Sequence, residues 1–461
     1  MSARAVTAAS AVKTTTTRIF CQLCIAVFTL ACAVTVVTAA PLPQALSDDD
    51  FRSWDAAKAQ LGQLLFYDKI LSGNRNIACS TCHHPKHASS DGLSLGIGEG
   101  GTGLGPDRDF GTGPQAANRR VPRNALSLFN LGAKEFTVMF HDGRLVIDPD
   151  RPGGFNSPAD EYLPTDLNSI IAAQALFPLI STVEMAGDAS ENEVAGASRR
   201  SPLYSWRILA ERVANLDGYW PLFQAAWPEL ERSSDINISH IANAIDDFIN
   251  AEWRADNSAF DRYLRGDRTA LDSQAIAGMQ LFYGEAGCSG CHAGALQTDH
   301  QFHALGIPPF GPGRTRLFDP IARDQGRINE SDIAADAYRF RTPSLRNVTD
   351  TGPWAHNGAY STLEAVIKHH LQPKASLQNY DRQQLQMRYN STFTEARDFV
   401  QWQDKREMQR FSQHLDIKPQ RLSKQQISEL IAFLHALRDA KSIKGTYGVP
   451  DSVPSHLSVD R

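Results

Sequence analysis

Two short motifs carry chemistry that few other arrangements can supply: Cys79-Ser80-Thr81-Cys82-His83 and Cys288-Ser289-Gly290-Cys291-His292. In Cys-x-x-Cys-His the two thiols can add across the two vinyl groups of one haem. The adjoining imidazole then reaches the iron from the proximal side. A single Cys-x-x-Cys would leave a redox dithiol or half of a zinc site open. Two copies, each followed at once by His, point to two c-type haems. Of the seven cysteines, Cys21, Cys24 and Cys32 lie in an apolar N-terminal stretch, and the other four all belong to the motifs. No cysteine remains for a disulfide framework or for zinc.

Residues 1–18 carry Arg4, Lys13 and Arg18 and no acid, and Ile19 to Ala40 is apolar, ending Val37-Thr38-Ala39-Ala40. A basic start, an apolar run and small residues at a cleavage point read as an export signal. The run is also long enough to serve as an uncleaved anchor, and Leu30-Ala31-Cys32 loosely resembles a lipoprotein cleavage site. Residues 1–40 are therefore an export signal or an N-terminal anchor. The net charge of −5, with acids and bases mixed throughout, argues against a nucleic-acid surface.

The elements that must position the motifs repeat. Leu61-Gly62-Gln63-Leu64-Leu65-Phe66-Tyr67 precedes the first, and Gly278-Met279-Gln280-Leu281-Phe282-Tyr283-Gly284 precedes the second. Both read as the amphipathic opening helix of a cytochrome c unit. Residues 96–114 are rich in glycine, lack any strand signal before them, and read as a flexible surface loop. Residues 186–202 read as another loop. Ile238–Leu264, with apolar Ile241, Ala244, Ile245, Phe248 and Ile249, predicts one long helix leading to the second unit. Gly266-Asp267 marks the domain boundary, and Arg339–Arg346 predicts a strand or two.

From Gln60 to Leu371 the chain resembles the bacterial di-haem cytochrome c peroxidases, in their MauG-like branch. The resemblance rests on Arg123-Asn124, Asp142-Gly143-Arg144, Gln174, Pro178 and Glu184-Met185. It continues in Phe340-Arg341-Thr342-Pro343-Ser344-Leu345-Arg346-Asn347, Pro353, His356, Gly358 and Thr362-Leu363-Glu364. It implies a mostly α fold of two cytochrome c-like domains packed face to face, each binding one covalent c-type haem. The N-terminal unit would span 48–265, the C-terminal unit 266–445, and a C-terminal tail 446–461. The peroxide-reactive haem would sit in the first unit and the electron-transfer haem in the second.

Carried over residue by residue, His83 is the proximal ligand of the reactive haem. Gln174 and Pro178 form its distal pocket, and Glu184 is the acid–base group that moves the peroxide proton. Many peroxidases of this family close the resting haem with a His about twenty residues past the first motif. Gly100–Gly105 contains none, and His84 and His87 are too close to the haem loop to take its place, so the first iron is expected to be open. His292 is the proximal ligand of the second haem. The family's sixth-ligand position, counted from Leu363, falls on His370, with His369 the second choice because it points about 100° away on a helix. His in place of the usual Met lowers the haem potential. His141 stands where the family usually carries a relay Trp, and Trp354 is a compensating candidate or simply packs on the second haem. A Ca²⁺ ion between the units, held by Asn124 and the carbonyls of Thr351 and Pro353, also follows from the resemblance.

The activity implied is reduction of hydrogen peroxide in the periplasm, with electrons from a small donor such as a cytochrome c or cupredoxin. The alternatives are MauG-like oxidation of a specific, even protein, substrate and a non-catalytic di-haem electron carrier. A homodimer is compatible with all three.

Overall fold

The structure, a computed structural model, describes residues 40–314, 323–390 and 397–461. The expected export segment lies outside them apart from its last residue. Among the described residues no helix is long and apolar enough to cross a membrane.

The fold is mostly helical, with two small antiparallel sheets, and the internal repeat is built into helix pairs. Asp55 caps the helix Ala56–Tyr67, accepting from the Lys58 N–H. This helix crosses Ile238–Glu252. At the crossing a Cβ on Gly62 would collide with the Ala244 carbonyl oxygen and come within 3.0 Å of the Phe248 Cβ. In the second half Asp272 caps Ser273–Tyr283, which crosses Lys424–Ala436. There Gly278 lies against the Glu429 carbonyl and Phe433 in the same way. The repeat therefore extends beyond the opening phrase to its partner helix, in which the aromatic stands four residues after the crossed carbonyl.

Those aromatics centre two cores. Phe66 packs on Phe248 at 5.2 Å and on Trp253 at 5.4 Å. Phe433 meets Phe260 edge-on and Phe282 tilted, both at 5.1 Å. Phe248 and Phe433 are fully buried, so truncating either to Ala should cost about 3–5 kcal/mol. Both cores lie within one compact unit.

Three sequence expectations need correction. Ile238–Leu264 is two helices, Ile238–Glu252 and Ala259–Leu264. Asn130 takes over the backbone between them: its N–H donates to the Trp253 carbonyl, its Nδ2 to the Ala255 carbonyl, and its Oδ1 accepts from the Ala255 N–H. Ser258 then caps the second helix. Residues 186–202 hold a helix at Glu193–Ser198, capped by Asn192, before Pro202 opens Pro202–Ala214. The glycine-rich stretch is a loop, but Gly96, Ile97, Gly98 and Glu99 are buried. The Arg108 guanidinium threads it, donating to the carbonyls of Ile97, Gly98 and Gly103.

One sheet pairs Val138–Met139 with Leu145–Ile147 and that strand with Phe155–Asn156. The strand expected within 339–346 is Phe340–Arg341, paired with Phe302–His303.

Candidate active site

Cys79–Cys82 form one helical turn, fastened by the Ala78 N–H donating to Thr81 Oγ1. All four motif cysteines are free of disulfides. Burial pushes the thiols of Cys79, Cys82 and Cys288 up to about 12, and raises that of Cys291 as well.

The His83 Nδ1 lies 3.0 Å from the Ser89 carbonyl, and the His292 Nδ1 3.1 Å from the Gln297 carbonyl. In both, Nδ1–H donates and Nε2 is left with its lone pair, the tautomer a metal requires. Burial lowers the pKa of both imidazoles, His292 to about 4. All six motif side chains line one cavity of about 1030 Å³. Paired thiols and oriented neutral imidazoles fit two c-type haems.

Gln174, Pro178 and Glu184 line the same cavity. Gln174 lies in the last turn of the helix Ile170–Ala175, whose N-terminus Ser169 caps. Pro178 opens a short turn, and Glu184 lies in the turn Thr182–Ala186. Two glycines hold that turn from either side. The Gly73 N–H donates to the Met185 carbonyl at 2.8 Å, and a Cβ on Gly73 would strike the Ala186 carbonyl. A Cβ on Gly98 would strike the Val183 carbonyl. Glu184 interacts electrostatically with Cys82 and with Arg144. The Arg144 guanidinium lies 3.5 Å over the Phe140 ring and is held by Asp142 at 3.1 Å.

Asp142 anchors an ionic knot between the two halves of the chain, a feature sequence reasoning did not assign. It is fully buried and meets Arg123 at 2.8 Å, Arg144 at 3.1 Å and Arg314 at 3.2 Å. Burial alone would raise its pKa, but the three guanidiniums hold the carboxyl well below the usual range. Arg123 also grips Asp324 through two bonds of 2.7 Å. The sequence had flagged Arg123 and Asp142, but nothing in it marked Asp324 or Arg314 as their partners.

In the second half, His370 directs Nδ1 to the Val366 carbonyl at 2.8 Å and lines the cavity. Its field lowers the His292 pKa, after burial. His369 is spent elsewhere: Nδ1 meets Tyr360 Oη at 2.7 Å and Nε2 the Leu305 carbonyl at 2.8 Å. It is fully buried and away from the cavity wall.

His141 and Trp354 line the cavity. His141 Nε2 bonds the Asn124 carbonyl at 3.2 Å, and burial, then Arg123 and His356, lower its pKa well below the ordinary value. Trp354 Nε1 donates to the Val348 carbonyl at 2.8 Å, against the second core. His84 is fully buried with Nε2 on the Asp460 carbonyl, and His87 packs on Gly105; neither lines the cavity.

Asn124, Thr351 and Pro353 all line the cavity. The Asn124 Nδ2 donates to the Leu93 carbonyl at 2.8 Å, which leaves Oδ1 as the atom a cation could use. Among the described residues, the one His/Cys/acid group close enough to hold a metal is Cys291, Asp299 and His303. It belongs to the second motif rather than to an oxygen-rich calcium site.

A mostly helical protein with two haem-attachment motifs around one cavity is of the di-haem c-type class. A family model described as di-haem cytochrome c peroxidase matches residues 56–269, and the chain is similar to the oxidoreductases of that family. It is 29% identical over 314 residues to the methylamine utilization protein MauG of Methylorubrum extorquens, covering 68% of each chain. It is 28% identical over 346 residues to the cytochrome-c peroxidase IdrP2 of a Pseudomonas species, covering 71% of this chain and 75% of that one. In fold it is similar to a crystal structure of a MauG-like protein associated with microbial copper homeostasis. The TM-score is 0.56 at 24% identity, covering 89% of this chain and 96% of that one.

Proposed function

We propose that the protein is a periplasmic di-haem peroxidase that reduces hydrogen peroxide at an open first haem, with electrons passed through a bis-His second haem. The observation that carries this reading is the asymmetry of histidines. His370 has Nδ1 engaged, Nε2 available and electrostatic coupling to His292. For the first haem, residues 100–105 hold no His, and His84 and His87 are committed away from the cavity. The two units are cytochrome c-like and face one another across the cavity, each with one covalent haem.

When bound, the haems supply the redox chemistry: two electrons, with two protons, take one peroxide to two waters. Cys79, Cys82 and His83 would hold the first haem; Cys288, Cys291, His292 and His370 would hold the second. The Glu184 carboxylate takes the proton from the near peroxide oxygen and returns it to the departing one, help worth about 10²–10⁴ in rate. The Gln174 amide orients the peroxide by hydrogen bonding. Pro178, with no N–H to offer, shapes the pocket without competing for it. Asn124 Oδ1 with the Thr351 and Pro353 carbonyls would hold a Ca²⁺ ion, an all-oxygen set suited to that ion.

The electron donor is a small cytochrome c or cupredoxin. A second reading, oxidation of a specific substrate after the manner of MauG, is favoured by the missing closing His. Mixing ferric protein with H₂O₂, with and without reduced cytochrome c, separates the readings. Consumption of reduced cytochrome c in step with peroxide supports the peroxidase. Peroxide reaction that leaves the donor untouched supports the second reading.

A further inference from the structure

The segment after the last long helix does not trail away from the molecule. It returns to the first half and ends on the first haem-attachment motif. Three backbone N–H groups, of Thr446, Tyr447 and Gly448, donate to the Glu252 carboxylate. Gln63 Nε2 donates back to the carbonyls of Tyr447 and Gly448. Val453 is buried in the first core, with Val449, Leu457 and Val459 packed against it. Ser455 Oγ donates to Asp68 Oδ1 at 2.6 Å, on the carboxylate that also accepts from Tyr219 Oη at 2.8 Å.

The strap ends at Asp460, which brackets Cys82-His83 from both sides. Thr81 Oγ1 already accepts from the Ala78 N–H, so its own proton goes outward, to Asp460 Oδ2 at 2.5 Å. His84 Nδ1 accepts from the Lys86 N–H, which places the ring proton on Nε2, donating to the Asp460 carbonyl at 3.3 Å. Lys69 Nζ holds the other carboxylate oxygen at 2.6 Å. Thr81 and His84 are fully buried.

The second motif serves as an internal control. Where the first has Thr81 and His84, the second has Gly290 and Ala293, neither with a side chain that can hydrogen-bond. A Cβ on Gly290 would meet nothing within 4 Å, and that residue is exposed. The clamp is thus built on one haem loop alone.

We infer that Asp460 is a positioning residue for the first haem: through Thr81 and His84 it fixes the loop that carries Cys82 and His83, and so sets the axial geometry of that haem and not of the other. The inference rests on the di-haem reading above. Groups that orient a metal-ligating His typically change metal affinity or activity by 10–100-fold when removed. Asp460 acts one contact further out, so a smaller effect is expected, read as a shift of the first haem's midpoint potential alone.

The test uses the full-length holoprotein with Asp460→Ala, Thr81→Val and Thr81→Ser. The midpoint potentials of the two haems are titrated spectroelectrochemically, with and without cyanide; the wave that cyanide moves is the first haem. Asp460→Ala and Thr81→Val should each shift that wave and leave the other in place, while Thr81→Ser, which keeps the hydroxyl, should match the parent. Both waves moving together, or neither moving, would overturn the inference. If cyanide moves no wave, the open-haem reading falls; the wave that His370→Met moves then marks the second haem, and the other wave shifting alone in Asp460→Ala and Thr81→Val would still support the clamp. If Asp460→Ala fails to load haem, Thr81→Val against Thr81→Ser decides by the same readout.

Discussion

Gly98→Ala tests how the fold aims Glu184. Gly98 has no positive φ, so alanine adopts its backbone without strain, and the substitution is purely steric. The added Cβ would fall well inside 3.0 Å of the Val183 carbonyl oxygen, one residue before Glu184. Backbone must move, by roughly 1 Å, to restore contact. On its far side the turn is fixed by the Gly73 N–H bond to Met185 and by Asn192 Nδ2 donating to the Ala186 carbonyl at 2.9 Å. The displacement therefore falls on Val183 and Glu184.

A misplacement of about 1 Å in a reacting group can cost about 10²-fold, so Gly98→Ala should slow the reaction with H₂O₂ about a hundredfold. The overpacking should also cost about 1–3 kcal/mol of stability. Stopped-flow Soret traces after mixing with H₂O₂ give the rate, haem content confirms loading, and cyanide affinity reports whether the iron site itself has moved. If the reasoning holds, Gly98→Ala/Glu184→Gln reacts no more slowly than Glu184→Gln alone, because both changes act on one proton path. A loaded Gly98→Ala reacting within about threefold of the parent would refute the positioning argument.

Other outcomes follow from the same geometry. Glu184→Gln should keep both haem spectra and cyanide binding yet react with H₂O₂ at least about a hundredfold more slowly in stopped flow. His370→Met should raise the potential of the second haem, read by redox titration. His369→Ala should leave the optical spectrum alone but lower Tm, because the Leu305 carbonyl loses its partner and the Tyr360 hydroxyl keeps only Ser376, at about 1–3 kcal/mol in all. Burial, then Asp246, raises the Asp247 pKa to about 6, so the folded state binds that proton more tightly than the unfolded chain. The stabilisation is full below about pH 4 and lost as pH rises through 6. Asp247→Asn should therefore raise Tm above about pH 7 and change it little near pH 4, as thermal melts across that range would show.

The chemistry proposed for this chain is legible in its sequence because covalent haem attachment, as proposed, demands fixed residue types at fixed spacing. Cys79, Cys82, His83 and their counterparts had no alternative partners to be confused with. Gly62 and Gly278 were visible as a repeated phrase, but the carbonyls of Ala244 and Glu429 that require them lie far along the chain. The break after Glu252 was hidden for the same reason: Asn130, distant in sequence, supplies the bonds that end the helix. The count from Leu363 puts His370 first and His369 second, with nothing in the sequence to show what His369 touches. In the fold Tyr360 and Leu305 occupy both nitrogens of His369, which leaves His370 facing the cavity. The return of residues 446–461 onto Thr81 and His84 leaves no periodic trace, since it rests on single hydrogen bonds rather than on a repeated face.

Electron paramagnetic resonance of the as-isolated ferric protein tests the central claim most directly. The account predicts one high-spin and one low-spin haem, with cyanide converting the high-spin signal alone and His370→Ala removing the low-spin signal. Two low-spin signals in the parent protein would contradict it.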